Sequence, residues 1–162
     1  MTPELCTELA RVLQRRGWMM ATAESCTGGM IAAACTDLGG SSNWFERGFV
    51  TYSNQAKTDM LGVEAQVITR EGAVSEAVAR AMAAGALARA PVQAAVSVTG
   101  VAGPTGGSDA KPVGTVWFGW NIDGQIRTER QRFDGDRAAV RSATVRHALA
   151  QLLVLLREPP PA

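Results

Sequence analysis

The stretch Ala21-Thr-Ala-Glu-Ser25-Cys-Thr-Gly-Gly-Met30 decides the fold of this chain. An apolar run over 18–23 precedes the hydroxyl and glycine residues, and a helical pattern over 30–38 follows them. This order predicts a β-strand, a tight turn and the start of a helix. Ser25 would then lie where backbone N–H groups are unpaired and the helix dipole is positive, which favours an anion or a reaction oxyanion. The alternative is a hydroxyl that only caps the helix.

The composition narrows the class of protein. The chain has 162 residues, 46% hydrophobic and 19% charged, and this length suits one domain with a sizeable core. The net charge is +1 and no basic block occurs, so we expect no nucleic acid and no membrane as partners. The apolar runs are too short to span a bilayer, and the first residues lack a signal-peptide pattern. Three cysteines without a Cys-x-x-Cys pair indicate reduced thiols and a cytoplasmic location.

Outward from the central stretch, helices and strands alternate and a hairpin comes late. Strands are predicted at about 18–23, 45–52, 93–99, 115–122 and 125–133. Helices are predicted between Thr2 and Gly17, over 30–38, 55–61 and 75–90, and after a cap at Asp136. Asp123-Gly124 is typical of a two-residue hairpin turn. The whole predicts a three-layer α/β/α sandwich around a mixed β-sheet, in a single domain over 1–162 with a frayed tail from about residue 157.

A second glycine-rich segment, 100–114, follows the predicted strand over 93–99. Open α/β sheets bind ligands at strand carboxyl ends, so this segment and the Ser25 turn are both expected beside a binding site. The segment Gly103-Pro-Thr-Gly-Gly107 is similar to a phosphate cradle but lacks the Gly-Lys-Ser/Thr ending of a Walker A loop. A flexible turn is the alternative interpretation.

A serine nucleophile needs a base, and the chain offers few. The single histidine, His147, falls inside the last helical pattern and is expected on the surface, so a Ser-His-Asp triad is not predicted. Lysine is the substitute, provided that burial or a nearby cation lowers its pKa. Of the two lysines, Lys111 lies in a loop that we expect to be solvated, whereas Lys57 follows the only tyrosine, Tyr52, by five residues. Taken alone, a core tyrosine and a surface lysine remain the simpler interpretation.

Cys26 is the rival nucleophile, because a thiol near a helix N-terminus has a lowered pKa. No histidine is placed to pair with it, so we expect it to be a small buried residue. The sequence has no cluster of His, Cys and carboxylates at metal-ligand spacing, and we expect no bound metal.

Several motifs together resemble the CinA carboxy-terminal domain family, the nicotinamide-nucleotide amidohydrolases. The resemblance covers about residues 5–155. The matching motifs, in order, are Ala23-Glu-Ser25-Cys-Thr-Gly-Gly, Gly48-Phe-Val-Thr-Tyr52-Ser-Asn-Gln-Ala-Lys57, Leu61-Gly-Val, Gly72-Ala-Val-Ser-Glu76, Thr99-Gly-Val-Ala-Gly-Pro, Lys111-Pro-Val-Gly-Thr-Val-Trp117 and Phe133-x-Gly-Asp-Arg137.

This resemblance implies hydrolysis of nicotinamide mononucleotide to nicotinic acid mononucleotide and ammonia, in pyridine nucleotide salvage. It implies a catalytic serine, tyrosine and lysine, which fall on Ser25, Tyr52 and Lys57, and a homodimer without a metal or organic cofactor. Lys57 would take the serine proton directly or through Tyr52. Residues expected to bind the oxyanion or the phosphate are Thr27, Gly28, Gly29, Gly103, Thr105, Gly106, Gly107 and Arg137. The family is expected to carry glycine at position 105, where threonine disfavours a positive φ.

Two other functions stay open at this point. A non-catalytic nucleotide-binding module would use the glycine loops without needing Ser25. A hydrolase of another small amide or ester would use Ser25 on a different substrate.

Overall fold

The computed structural model of the chain describes residues 1–159 and contains one five-stranded mixed sheet. The strands, in chain order, are β1 (Met20–Glu24), β2 (Phe45–Val50), β3 (Ala94–Gly100), β4 (Thr115–Ile122) and β5 (Gln125–Arg132). Their spatial order is β2-β1-β3-β4-β5. β1 pairs in parallel with β2 and β3, whereas β3, β4 and β5 are antiparallel neighbours. The predicted mixed sheet is confirmed.

Helices cover both faces of this sheet. They are α1 (Thr2–Arg16), α2 (Met30–Thr36), α3 (Asn54–Leu61), α4 (Ala65–Glu71), α5 (Glu76–Arg89) and α6 (Arg137–Arg157), with a 3₁₀ turn at Ser41–Asn43. α1, α2 and α6 pack on one face of the sheet, and α3, α4 and α5 pack on the other. The predicted α/β/α sandwich is therefore confirmed, and β1, covered on both faces, is buried at all five residues.

The period-2 pattern of β4 explains how α6 is held. Val116, Phe118 and Trp120 point to the α6 side and are fully or almost fully buried. The Trp120 indole N–H donates to the Ala148 carbonyl at 3.0 Å. The short apolar runs of the sequence predicted no segment able to span a bilayer, but α6 is long and apolar enough to do so by length and composition. Its apolar side is instead buried against the sheet, so α6 is a core helix.

Local signals place several element boundaries well. Asp136 caps α6 by accepting from the Ala139 N–H at 2.9 Å, and Ser75 caps α5 by accepting from the Val78 N–H at 3.3 Å. Asp123 and its neighbouring glycine both have positive φ, as the predicted hairpin turn requires.

Other boundaries differ from the prediction. α4 was not predicted, β2 ends at Val50 instead of residue 52, and α1 begins at Thr2 itself, so this threonine is not its cap. Within the predicted tail, Arg157 still belongs to α6 and donates to the Glu8 carboxylate at 2.7 Å. Residues 160–162 lie outside the described residues.

Candidate active site

The candidate site lies at the carboxyl ends of the three parallel strands. Ser25 follows β1, Tyr52 lies two residues after β2, and the 101–114 loop follows β3. Since β1, β2 and β3 run in the same direction, these segments meet at one edge of the sheet. Arg137, at the start of α6, reaches the same place and donates to the Gly103 carbonyl at 2.8 Å.

Ser25 and Lys57 are in direct contact. The Lys57 Nζ is 2.9 Å from the Ser25 Oγ. α3 positions the lysine in its first turn, and Ser53 caps this helix by accepting from the Ala56 N–H at 3.0 Å. Lys57 thus lies beside Ser25, whereas the residues alone made a surface lysine the simpler interpretation.

The environment of Lys57 lowers the pKa of its side chain. Its residue is 1% exposed, and burial lowers the pKa of its ammonium group from the ordinary value of 10.5. Within residues 1–159, no carboxylate lies within ion-pair distance of this nitrogen. Its other two contacts are the main-chain carbonyls of Thr51 at 3.1 Å and Tyr52 at 3.2 Å. A neutral amine has two N–H donors for these carbonyls, and its lone pair is then left for the Ser25 hydroxyl.

Tyr52 contacts the Ser25–Lys57 pair through its backbone, not through its phenol. Its carbonyl accepts from Lys57 and lies 3.4 Å from the Ser25 Oγ. Its side chain is 60% exposed, and its phenol oxygen accepts a hydrogen bond from the Arg137 Nη2 at 3.0 Å. The described contacts thus provide no route for a proton from Ser25 to Lys57 through the phenol, and the direct contact is the shorter path.

Glu24 is a buried site residue that the sequence analysis missed. Its side chain is fully buried, and its carboxylate accepts from the Thr27 hydroxyl at 2.5 Å and from the amides of Ile31 at 2.9 Å and Ala32 at 3.0 Å. A carboxylate at the first turn of a helix accepts hydrogen bonds from its unpaired amides and interacts favourably with the positive end of the helix dipole. A lone acidic residue at the end of an apolar strand was the only signal for this role.

This arrangement corrects the expected environment of Ser25. α2 begins at Met30, five residues after the serine, and the intervening residues form a turn. The first free amides of α2 donate to Glu24, so the helix N-terminus is not open to a substrate. Instead, the amides of Cys26, Thr27 and Gly29, within the turn, make no backbone hydrogen bond in the part of the chain that the structure describes. Thr27 is fully buried, so the amides of Cys26 and Gly29 are the donors left for an oxyanion.

The turn itself is held by α6. The Arg141 guanidinium donates to the carbonyls of Cys26 and Thr27, both at 3.1 Å. Gly28 and Gly29 adopt positive φ, 58° and 104°, which glycine tolerates without strain. Arg141 was not predicted as a site residue because its position on the polar face of α6 gave no signal.

Cys26 is unsuited to act as the nucleophile. Its residue is 6% exposed, and burial raises the pKa of its thiol to about 11. A thiol that stays protonated at neutral pH is a weak nucleophile. The expected small buried residue is therefore confirmed.

The residues expected to bind substrate occupy different positions. Thr27 is fully buried and its hydroxyl donates to Glu24, so this residue offers no group to a substrate. Gly28 is exposed and Gly29 partly so, whereas Gly103 is buried. In the loop, Gly103, Gly106 and Gly114 take the positive φ values and Thr105 does not. Thr105, Gly106, Gly107 and Arg137 are all exposed to solvent.

A cavity of about 460 Å³ lies beside Arg137 and the 101–114 loop. Its lining residues are Ala102, Pro104, Val113, Gly135, Asp136, Arg137 and Ala138. Lys111, which was expected to be solvated, instead donates to the Glu71 carbonyl at 2.7 Å and ties the loop to the end of α4. Among the lining residues of this cavity, Arg137 is the one cationic side chain.

His147 is not at this site, and it is not a simple surface residue either. Its ring packs against Phe118, Trp120 and Phe133 and lies 2.5 Å from the Glu129 carboxylate. The expectation of a solvated histidine is therefore wrong, because α6 turns this position toward the sheet. Among residues 1–159, no group of three His, Cys, Asp or Glu residues is placed to hold a metal ion.

Known proteins match this chain in sequence and in structure. The family described as the CinA C-terminal domain matches residues 3–156. Nicotinamide-nucleotide amidohydrolase PncC of Enterobacter agglomerans is 53% identical over 96% of this chain and 93% of its own length. The protein of the same name from Escherichia coli K12 is 51% identical over 92% of this chain and 91% of its own length.

The solved structures agree with this relationship. The competence damage-inducible protein A of Klebsiella pneumoniae superposes with a TM-score of 0.95 at 45% identity, over 98% of this chain and 99% of that one. The CinA superfamily protein KP700603 of Klebsiella pneumoniae superposes with a TM-score of 0.92 at 46% identity, over 96% of this chain and 98% of that one. This chain belongs to the CinA C-terminal domain family.

Proposed function

We propose that this chain hydrolyses the carboxamide of nicotinamide mononucleotide, giving nicotinic acid mononucleotide and ammonia. The observation that carries the proposal is the 2.9 Å contact between the Ser25 hydroxyl and the buried Lys57 amine. Relatives at 51–53% identity over most of this chain are named nicotinamide-nucleotide amidohydrolases, which supports the choice of substrate.

The proposed first step forms an acyl-enzyme. The Ser25 Oγ attacks the carboxamide carbon while its proton passes to the Lys57 Nζ. The carbonyl oxygen becomes an oxyanion, for which the free amides of Cys26 and Gly29 are the proposed donors. Each such donor contributes about 3 kcal/mol to transition-state stabilisation in known oxyanion holes. When the C–N bond breaks, the lysine proton moves to the leaving nitrogen and ammonia departs.

The second step releases the product. Water attacks the ester carbon, and its proton passes to the Lys57 amine. The ester bond to Ser25 breaks, the serine oxygen recovers that proton, and the acid that forms releases the second proton of the water to solvent, which leaves the nicotinic acid carboxylate. Every group in this route belongs to the chain or to water.

We propose Arg137 as the group that binds the substrate phosphate. It is exposed, it lies beside the 460 Å³ cavity, and it contacts both Tyr52 and the Gly103 loop. Guanidinium groups match phosphate oxygens well, because they offer several donors in one plane. The exposed backbone of Gly106 and Gly107 is the proposed second contact.

One assay tests this function against its alternatives. Ammonia release is measured from nicotinamide mononucleotide, nicotinamide riboside and nicotinamide, with wild-type protein and Ser25→Ala. We expect turnover of the mononucleotide by wild type and none by the variant. Turnover of other small amides alone would identify a different hydrolase. Tight nucleotide binding without ammonia release would identify a binding module.

The cellular setting and assembly are also proposals. We propose a cytoplasmic enzyme of pyridine nucleotide salvage, which agrees with three buried free cysteines. We propose a homodimer that forms across the β2 edge and α2, where Val50 and Ala33 are exposed. Light scattering should give twice the mass of one chain, and Val50→Glu should give a single chain. A wild-type mass of one chain would refute the dimer.

A further inference from the structure

The exposed ring of Tyr52 is unusual for a residue so close to the reacting pair. Its main-chain carbonyl accepts from Lys57 at 3.2 Å, yet its side chain is 60% exposed. At the far end of the ring, the phenol oxygen accepts from Arg137 at 3.0 Å. The ring therefore extends from the Ser25–Lys57 pair to the proposed phosphate-binding arginine.

The proposed substrate has its parts in the same order. In nicotinamide mononucleotide, a carboxamide sits at one side of a pyridinium ring, and the ribose phosphate is attached through the ring nitrogen. A carboxamide at Ser25 and a phosphate at Arg137 would bring the pyridinium ring alongside the ring of Tyr52. N-glycosylation gives this pyridine a full positive charge, and cations bind favourably to the face of an aromatic ring.

We propose that Tyr52 is a substrate-binding residue whose ring recognises the pyridinium cation, and this rests on the proposed function. Within residues 1–159, the carboxylates of Glu24 and Asp136 already accept hydrogen bonds. Glu24, the nearest buried carboxylate in sequence to Ser25, is used by Thr27 and α2. The Asp136 carboxylate accepts from the Ala139 amide. Lys57 and Arg137 are basic, so in their protonated forms they would repel the pyridinium, and in neutral form they would not pair with its charge.

The experiment measures binding, with Ser25→Ala as the background so that no ligand is turned over. Titration calorimetry compares nicotinamide mononucleotide with its 1,4-dihydro form, which keeps the carboxamide, ribose and phosphate but has an uncharged ring. We expect about tenfold tighter binding of the charged form, which corresponds to about 1.4 kcal/mol. Adding Tyr52→Phe should preserve this ratio, because the aromatic face remains. Adding Tyr52→Leu should reduce the ratio to within about twofold.

The outcomes separate this inference from the proposed function. If Tyr52→Leu weakens the binding of both ligands equally, the ring contributes only van der Waals contact and the cation proposal is overturned. Loss of the affinity ratio between the two ligands in Tyr52→Phe would also overturn it. If wild-type protein releases ammonia from the mononucleotide while the ratio survives Tyr52→Leu, only this inference fails. If wild type neither binds nor hydrolyses the mononucleotide, both fail. Circular dichroism melts of each variant check that the fold is intact.

Discussion

Replacing Lys57 with methionine tests the proposed base most directly. Methionine is unbranched and apolar and fits a site that is 1% exposed, but it has no nitrogen to accept the Ser25 proton. Positioned general bases typically contribute 10²–10⁴-fold to the rate. We therefore expect kcat to fall by at least about 10²-fold, a loss of about 2.7 kcal/mol in transition-state stabilisation.

The pH dependence follows from the direction of the Lys57 pKa shift. Burial lowers this pKa, so the reactive neutral amine becomes populated below pH 10.5. The rate of ammonia release should rise with pH through that lowered pKa and then level off. The same shift affects stability. Between the lowered pKa and 10.5, Lys57 carries a proton in the unfolded chain but is largely neutral in the folded one. The free energy of unfolding of wild type therefore rises with pH across this window.

The measurements are steady-state ammonia release and thermal melts over a pH series. Lys57→Met should lack the rising limb of the rate and should lose the stability gain of wild type across the window. Lys57→Arg is the charge-retaining control, and it should also be inactive because arginine keeps its proton. Retention of more than a tenth of wild-type kcat by Lys57→Met, or activity in Lys57→Arg, would refute the assignment of Lys57 as base.

Three further predictions use the same assay. Ser25→Ala should abolish ammonia release and change the free energy of unfolding by at most about 1 kcal/mol, whereas Cys26→Ala should remain active. An active Ser25→Ala variant would refute the assignment of Ser25 as nucleophile. Glu24→Gln should lower the free energy of unfolding by about 1–3 kcal/mol and should lower kcat by at least about tenfold, because the side-chain amide of glutamine places N–H donors opposite the backbone amides of α2. A variant with the melting temperature and kcat of wild type would contradict this prediction. Nicotinamide riboside should have a kcat/KM at least about tenfold below that of the mononucleotide, and Arg137→Ala should reduce this difference between the two substrates. An unchanged difference in Arg137→Ala would show that another group binds the phosphate.

Regular periodicity made the sheet predictable. β4 matches its predicted range because alternating side chains carry a period-2 signal along its whole length. α4 was missed because its seven residues span under two turns and bury only Ile68, which leaves no helical period to detect. The end of β2 was placed two residues late because nothing in the sequence around Val50 marks where pairing stops.

The site was predictable where chemistry is local and missed where it depends on distant partners. Lys57 was found because few other residues could act as a base, and the structure brings it to Ser25. The role of Glu24 depends on amides seven and eight residues later, and the role of Arg141 on a turn more than a hundred residues away. Neither pattern is visible in one sequence. The outward direction of the Tyr52 ring depends on backbone angles beyond the end of β2, which side-chain alternation does not describe.

The capping of α2 by Glu24 has a consequence for how the site responds to ionic strength. A helix N-terminus shielded inside the protein would attract a phosphate with little dependence on salt, but here that end is already neutralised. Under the proposed function, attraction of the substrate depends on Arg137, which is exposed, and dissolved ions screen exposed charges over about 8 Å at 0.15 M salt. Raising the salt concentration should therefore increase KM for the mononucleotide while leaving kcat unchanged, since the Ser25–Lys57 contact is buried. A KM that does not change between 0.05 M and 0.5 M salt would show that a shielded group holds the phosphate.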